Sequence, residues 1–341
     1  MKALMVYRPP KIHFCHKTWA DAIQIPIIDS TMIGTRLYRE SFAQVSNLVN
    51  SFILDNVGNY IYPRIYKGPG LLFSEGFPPL DGIMRLRKRK WKIILLAVSS
   101  LVRYSKQNIE RWSSKIDAII SVSKMVQNDY SKLIPSVPNL IVYPFPVNGC
   151  HDRHDNKIIS PITDIIFVGR LEESKGVDLL FKMVQQKNFD LPLKINIVGK
   201  GPLYNSFRKF ANTNVRKFSL LGFRDPRPFL KFGQIYLHPA KYDPFPVSVL
   251  EAMTFGLIPI VSKKTGTKEV VRKIDTKLIV DANPDSIVNA LEYVFNLSDE
   301  KRFSYGLKAA KYARDFSRKY SISAFRNAAN WLAKRFENME L

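Results

Sequence analysis

Residues 236–253 read YLHPAKYDPFPVSVLEAM, and this stretch decides how the chain folds. The apolar run at 235–237 stops at His238-Pro239, as a short strand does when it enters a loop. From Phe245 to Val247 onward the pattern turns helical, and a helix is expected to begin there. Two carboxylates, Asp243 and Glu251, flank that helix start with seven residues between them. Upstream, Gly169-Arg170 ends another apolar run and Lys175-Gly176 opens another helical pattern. Cations at one strand-to-helix junction and carboxylates at a second suit a phosphorylated sugar: cations face phosphates, carboxylates accept from hydroxyls.

Outward from this stretch the pattern repeats. Short apolar runs fall at 165–168, 195–198, 218–221, 235–237, 258–261 and 278–280. They are continuous rather than alternating, the mark of strands buried on both faces of a parallel sheet. Helical patterns lie between them, such as Val177, Leu180, Phe181 and Val184. The class is α/β and doubly wound, in which ligands sit at the carboxyl ends of the strands. Gly169, Gly199, Gly222, Pro239 and Ser262 all fall there. The first half is less regular. Strands are expected at 3–7, 71–73, 93–98 and 118–122, with 141–143 entering a linker. A helix carrying Tyr38, Phe42, Val45 and Val49 on one face follows Gly34-Thr35. The polar segment 148–160 is the best boundary by composition, and at 341 residues two domains are expected. Long amphipathic helices are expected at 299–316 and 321–337.

Five pieces carry a family resemblance: VGRLEESKG (168–176), IVGKGP (197–202), LLGF (220–223), DPFPVSVLEAM (243–253) and TGTKEVV (265–271). In this order and spacing they resemble the retaining glycosyltransferases of the GT-B fold, family 4-like, also described as glycosyl transferases group 1. The resemblance runs from about residue 117 to the C-terminus. It implies two Rossmann-like doubly wound domains facing a cleft. Residues 1–148 would form the acceptor side, 149–315 would bind the nucleotide sugar, and 316–341 would return to the first domain. It further implies that Arg170 and Lys175 face the donor diphosphate. Asp243 stands where the family usually has a glutamate that contacts the transferred sugar. Glu251 matches the second glutamate of the E-x7-E motif, which holds the ribose.

The amides of Phe245, Val247 and Ser248 would face sugar or phosphate oxygens at a helix N-terminus. Gly169 and Gly199 let backbone approach the donor; Gly222, Phe223 and Arg224 match the loop that borders the base; Gly34 would serve the first domain. Many family members place a donor-contacting histidine in the first domain. Residues 93–104, where it would be sought, hold none, and Ser99, Ser100 or Glu75 are the substitutes at hand. The implied reaction moves a sugar from a UDP- or GDP-sugar to an acceptor hydroxyl, on a lipid-linked or surface glycan. No cofactor and no metal are expected beyond the donor itself. Two alternatives stay open: a GT-B nucleotide-sugar epimerase, or a degenerate GT-B binding protein without catalysis.

Each residue also has a plain reading. Asp243 suits a helix cap. Glu251 lies in a helix apolar nearly all round, so it is expected to be buried and to need partners. Gly199-Lys200-Gly201-Pro202 suits a structural turn as well as a binding loop. His13 and His16 are expected at the surface rather than on a zinc ion. Cys15 and Cys150 make no metal spacing, and so few cysteines point to a reducing compartment.

The charge balance is +23, from 52 Lys plus Arg against 29 Asp plus Glu. Its sharpest cluster is Arg85, Arg87, Lys88, Arg89, Lys90 and Lys92, with Trp91 inside. Such a field favours an anionic surface. Beside an apolar run it suits a membrane; no recognisable nucleic-acid module accompanies it, so no specific nucleic acid is expected. The apolar start at 1–7 stops at Arg8-Pro9-Pro10, too short for a secretory core. The run at 93–102 is too short to span a bilayer. The expectation is a cytoplasmic protein, peripheral at the inner face of the membrane.

Overall fold

The computed structural model describes residues 2–7, 14–25, 27–29, 69–75, 90–98, 109–110, 113–146, 164–186, 191–214 and 216–337. Gly34, the helix expected after it, the 148–160 segment and residues 85–89 of the basic cluster lie outside these. The chain divides into two compact units, Met1–Tyr143 with Ser321–Leu341, and Pro144–Tyr320.

The first unit is built on strands β1 (Lys2–Tyr7), β2 (Ile27–Asp29), β3 (Gly70–Glu75), β4 (Trp91–Ala97), β5 (Ala118–Ser121) and β6 (Asn139–Ile141). They pair in the order β2-β1-β3-β4-β5-β6, and every pairing is parallel. Between β1 and β2 lies helix α1 (Phe14–Ala22), and α2 (Lys124–Leu133) joins β5 to β6. Ser123 caps α2 by accepting from the Val126 amide, the role its short hydroxyl side chain favours. β4 reads WKIILLA, buried along nearly its whole length, as a central parallel strand requires.

The second unit holds β7 (Asp164–Val168), β8 (Lys194–Val198), β9 (Phe218–Gly222), β10 (Ile235–His238), β11 (Ile258–Ser262) and β12 (Ile279–Val280). Their order is β12-β11-β10-β7-β8-β9, again all parallel. The helices are α3 (Val177–Val184), α4 (Tyr204–Thr213), α5 (Arg227–Phe232), α6 (Val247–Thr254), α7 (Lys268–Val271), α8 (Pro284–Phe295) and α9 (Asp299–Arg314). From β7 the chain winds outward through β8 and β9; from β10 it winds the other way through β11 and β12. β7 and β10 are neighbours, so the strand order reverses between them. The carboxyl ends of the strands at such a reversal are the usual ligand position in open α/β sheets.

Local chemistry explains most of these boundaries. Asn283 caps α8 with Pro284 at the first helical position, and Ser298 caps α9. Acidic residues open α9 and Lys311 and Arg314 close it, which complements the helix dipole. α3 buries Leu180 and Phe181 among others. The Phe181 ring stacks on Phe207 of α4 and on Phe218 of β9 at 4.0 and 4.7 Å.

The last helix, α10 (Arg318–Glu337), gives most of its length to the first unit. Phe325 stacks on Trp19 at 5.1 Å. Ser321 accepts from the Trp19 indole at 2.9 Å and donates to the Tyr143 carbonyl.

Several boundaries differ from the sequence reading by a few residues, as at β3 (71–73 expected) and β4 (93–98 expected). Leu278 lies in a 3₁₀ turn (Thr276–Leu278) ahead of β12, because Asp275 caps the turn through the Lys277 amide. The segment 141–143, expected to enter a linker, begins inside β6, since that strand runs Asn139–Ile141. α9 ends at Arg314 and α10 starts at Arg318.

Candidate functional site

The site is assembled from the loops that follow β7 and β10. After β7 come Gly169 and Arg170, then a 3₁₀ turn (Glu173–Lys175), then Gly176 at φ 70° opening α3. A Cβ on Gly176 would lie 2.1 Å from the Pro239 carbonyl oxygen. Only glycine combines that conformation with that approach. Two further bonds, from the Lys241 and Tyr242 amides to the Ser174 carbonyl, lace the β7 loop to the β10 loop.

This lacing brings Lys175 to Asp243, with Nζ donating to Oδ2 at 2.6 Å. His238, the last residue of β10, reaches the same oxygen through Nε2 at 3.0 Å. A carboxylate only accepts, so Nε2 carries the hydrogen. The Asp243 backbone is fixed as well. Its amide donates to the Lys264 carbonyl, its carbonyl accepts from the Gly266 amide, and it forms a parallel bridge with Thr265. Burial pushes the Asp243 carboxyl up. The hydrogen bond and charge of His238 and those of Lys175 outweigh it, and the group lies below the usual aspartate value. Asp243 therefore holds its charge in a nearly buried position. It does not cap α6, whose N-cap, Pro246, has no side-chain cap bond.

α6 is buried except at Val247, Ser248 and Glu251. These positions share one face by i, i+3 and i, i+4 spacing. Glu251 is thus half-buried rather than buried as its apolar neighbours suggested. The helix is buried on its other faces, and this stripe is half-buried. Tyr236 of β10 lies beneath the stripe. Its phenol contacts the Val168 carbonyl at 3.0 Å and Ser248 Oγ at 2.8 Å. A carbonyl can only accept, so the phenol hydrogen goes to Val168 and Ser248 donates in return. Burial chiefly, and the charges of Glu251 and Asp243 to a lesser extent, push the phenol well above its usual range. Phe245 is buried against Phe316. Its side chain is core, so a ligand role would fall to its backbone. The first amides of any helix lack intrahelical acceptors, which leaves the Val247 and Ser248 amides aimed out of the helix start.

Gly169, Gly199 and Gly222 end three adjacent strands, β7, β8 and β9. The Gly169 amide donates to Val198 and the Gly199 amide to Gly222. A Cβ on Gly199, at φ 149°, would stand 1.9 Å from the Gly169 carbonyl oxygen. Beyond Gly222, Phe223 is 83% exposed and Arg224 is exposed. The Arg170 side chain is 67% exposed and pairs with Glu172 at 3.2 Å. An open pair of this kind contributes little to stability.

The structure gathers Lys175 and Asp243 at one point. It sets Arg170 on the same loop as Lys175, and Val247, Ser248 and Glu251 on one helix face. Gly34 lies outside the described residues, as do Arg85, Arg87, Lys88 and Arg89. Lys90 turns into β4 at φ 67°, and Lys92 lies over the Phe336 ring at 5.4 Å.

His238 was missed by sequence reasoning. Its position two residues after Tyr236, on one face of a buried strand, was the available signal. His16 corrects an expectation: it is fully buried on α1, with Nδ1 3.0 Å from Glu75 Oε2 at the end of β3. Among the described residues no group of three or more His, Cys, Asp or Glu could hold a metal ion. No described helix is long and apolar enough to cross a membrane.

A reversed parallel sheet with a cation and a carboxylate joined at its switch point is a Rossmann-like arrangement. Across 98% of this chain and 100% of the other, the fold superposes on Anabaena HepE in complex with UDP and glucose, with a TM-score of 0.71 at 14% identity. Staphylococcus aureus TarM, solved with UDP among its ligands, matches 81% of this chain and 59% of its own at a TM-score of 0.61 and 16% identity. The fold is GT-B. Residues 152–312 match the family model described as glycosyl transferases group 1.

Glycogen synthase 2 of Geobacter metallireducens is 33% identical over 122 residues, 34% of this chain and 24% of that protein. Glycogen synthase of Kosmotoga olearia is 23% identical over 194 residues, 51% of this chain and 41% of that protein. The chain spans less than half the length of these two relatives.

Proposed function

We propose that this protein is a retaining glycosyltransferase that moves a sugar from a UDP- or GDP-sugar to an acceptor hydroxyl. The observation that carries the reading is the Lys175–Asp243 pair at the β7/β10 switch point, with α6 and its half-buried Glu251 following in the same loop-and-helix segment. It lies inside the stretch matched by the glycosyl transferases group 1 model. HepE of the same fold was solved with UDP and glucose, which supports a uridine nucleotide as the first donor to try.

In this reading the diphosphate lies at the amino end of α6, where the Val247 and Ser248 amides, Lys175 and Arg170 face its oxygens. Fixed cations there stabilise the negative charge that develops as the C1–O bond to the phosphate breaks. Glu251 accepts from the ribose hydroxyls, and Asp243 accepts from a hydroxyl of the transferred sugar. The acceptor oxygen bonds to C1 on the face the diphosphate leaves, which retains configuration. Its proton passes to a phosphate oxygen of the leaving group. Residues 1–148 supply the acceptor side, and the acceptor is a lipid-linked or surface glycan met at an anionic membrane face in the cytoplasm. Protein cations serve the diphosphate, so turnover is expected to survive EDTA; loss restored by manganese or magnesium would overturn this point.

The test is a thermal-shift series over UDP, GDP, ADP and their sugars, since a ligand that binds only the folded state raises its stability. NMR of the product anomer then reports the stereochemistry. A stabilising donor that is converted without any acceptor would point to an epimerase. No response to any nucleotide would sink the donor assignment.

A further inference from the structure

We propose that His238 is a positioning residue for sugar recognition: with Lys175 it holds Asp243 by one carboxylate oxygen and so presents the other to the transferred sugar. The inference rests on the donor reading above. Both bonds to Asp243 fall on Oδ2, at 2.6 and 3.0 Å, and among the described residues none falls on Oδ1. A carboxylate with one oxygen held by two donors cannot rotate freely, so Oδ1 keeps a set direction. The backbone bridge to Thr265 removes the remaining freedom.

The imidazole is itself immobile. It is buried, and its ring lies nearly parallel to Phe167 of β7, 6.0 Å away and tilted by 6°. Tyr236 flanks it at 6.4 Å and 9°. A strand end in this core would be filled as well by leucine. Histidine leaves Nδ1 buried with no hydrogen-bond partner among the described residues, an unfavourable arrangement a leucine would avoid. What histidine adds is the Nε2 donor to Asp243. Aspartate is one methylene shorter than glutamate, so its oxygens reach less far and their direction matters more. Two donors on Oδ2 supply that direction.

The experiment measures binding of UDP against UDP-glucose, and of GDP against GDP-mannose, to the full chain by calorimetry. The variants are His238→Leu, His238→Gln, Asp243→Asn and the Leu/Asn double. Urea unfolding of each confirms a folded state. His238→Leu is expected to reduce the preference for the sugar nucleotide over the bare nucleotide by about tenfold, the loss of one charge-assisted hydrogen bond. Affinity for the bare nucleotide should stay within about twofold. His238→Gln, which offers a donor at similar reach, should recover most of the preference. In the double variant the two losses should not add, because His238 acts through Asp243. An unchanged preference in His238→Leu, or additive losses, overturns the inference while the donor reading stands. A parent chain that binds none of the four nucleotides overturns both.

Discussion

Replacing Lys175 with methionine removes the cation from Asp243 and keeps most of the stem. At 2.6 Å and an effective dielectric of about 20, the bare attraction between unit charges is roughly 6 kcal/mol. Desolvation of the two groups cancels much of it. Removing one partner of a buried pair typically costs about 3–5 kcal/mol. Here the Lys175 side chain is 24% exposed and His238 still holds Oδ2. We therefore expect a loss of about 2–3 kcal/mol at pH 7, below the range for a fully buried pair.

The loss should depend on pH with a definite sign. The folded-state value of Asp243 lies below the ordinary one. Its stabilisation is fully present above about pH 4 and fades as pH falls through the folded value. In the variant, burial acts against one restraining group fewer, so the folded value rises. Below about pH 4 the carboxyl is protonated in both unfolded chains and increasingly in the folded ones. The gap between parent and variant should then shrink. Equilibrium urea unfolding of both proteins from pH 7 to pH 3 measures it. A gap under about 0.5 kcal/mol at pH 7, the level of an exposed pair, would refute the reasoning. So would a gap that keeps its size at pH 3.

Arg170→Ala should lower turnover by roughly 10²-fold, the effect of removing one electrostatic stabiliser, while the unfolding midpoint stays put because the side chain is open to water. Near-parental turnover would remove Arg170 from the diphosphate. Gly199→Ala should destabilise the protein by at least about 2 kcal/mol through backbone strain and overlap with the Gly169 carbonyl; a stability equal to the parent's would mean the strand ends can part without loss. The basic cluster should bind anionic vesicles at low salt, each cation contributing about 1 kcal/mol near the surface. Changing Arg87, Lys88, Arg89 and Lys90 to glutamine should abolish co-sedimentation and leave donor affinity unchanged; equal sedimentation of both proteins would leave the cluster as solvated surface.

Much of the second unit was legible in the sequence because its signals are local. Continuous apolar runs such as 195–198 and 258–261 mark strands buried on both faces, and helical spacing between them supplies the covering layer that a parallel sheet requires. The junction residues Gly169, Arg170, Lys175 and Asp243 follow from the strand ends by counting. Glu251 shows where local reading stops. Its neighbours in the chain are apolar, so it read as buried, yet the packing of α6 leaves the Val247, Ser248 and Glu251 stripe half-buried.

His16 and Glu75 lie 59 positions apart and meet only because α1 and the end of β3 come together. No periodicity reports such a pairing. The same limit hid His238. As a residue in an apolar run it looked like the end of a strand, which it is. Its bond to Asp243 depends on the loop between them turning back on itself, and that turn is held by residues of two other loops, Ser174 and Thr265.

The sequence by itself determined the α/β class, the positions of most strands and the residue types at their carboxyl ends. Burial period and turn chemistry act over a few residues and leave their mark in the chain. Only the tertiary structure decided the strand order, with its reversal between β7 and β10. It alone put Lys175 and His238 on one oxygen of Asp243 and left a single face of α6 half-buried. Those outcomes come from contacts between segments far apart in the chain, made by packing a whole sheet at once.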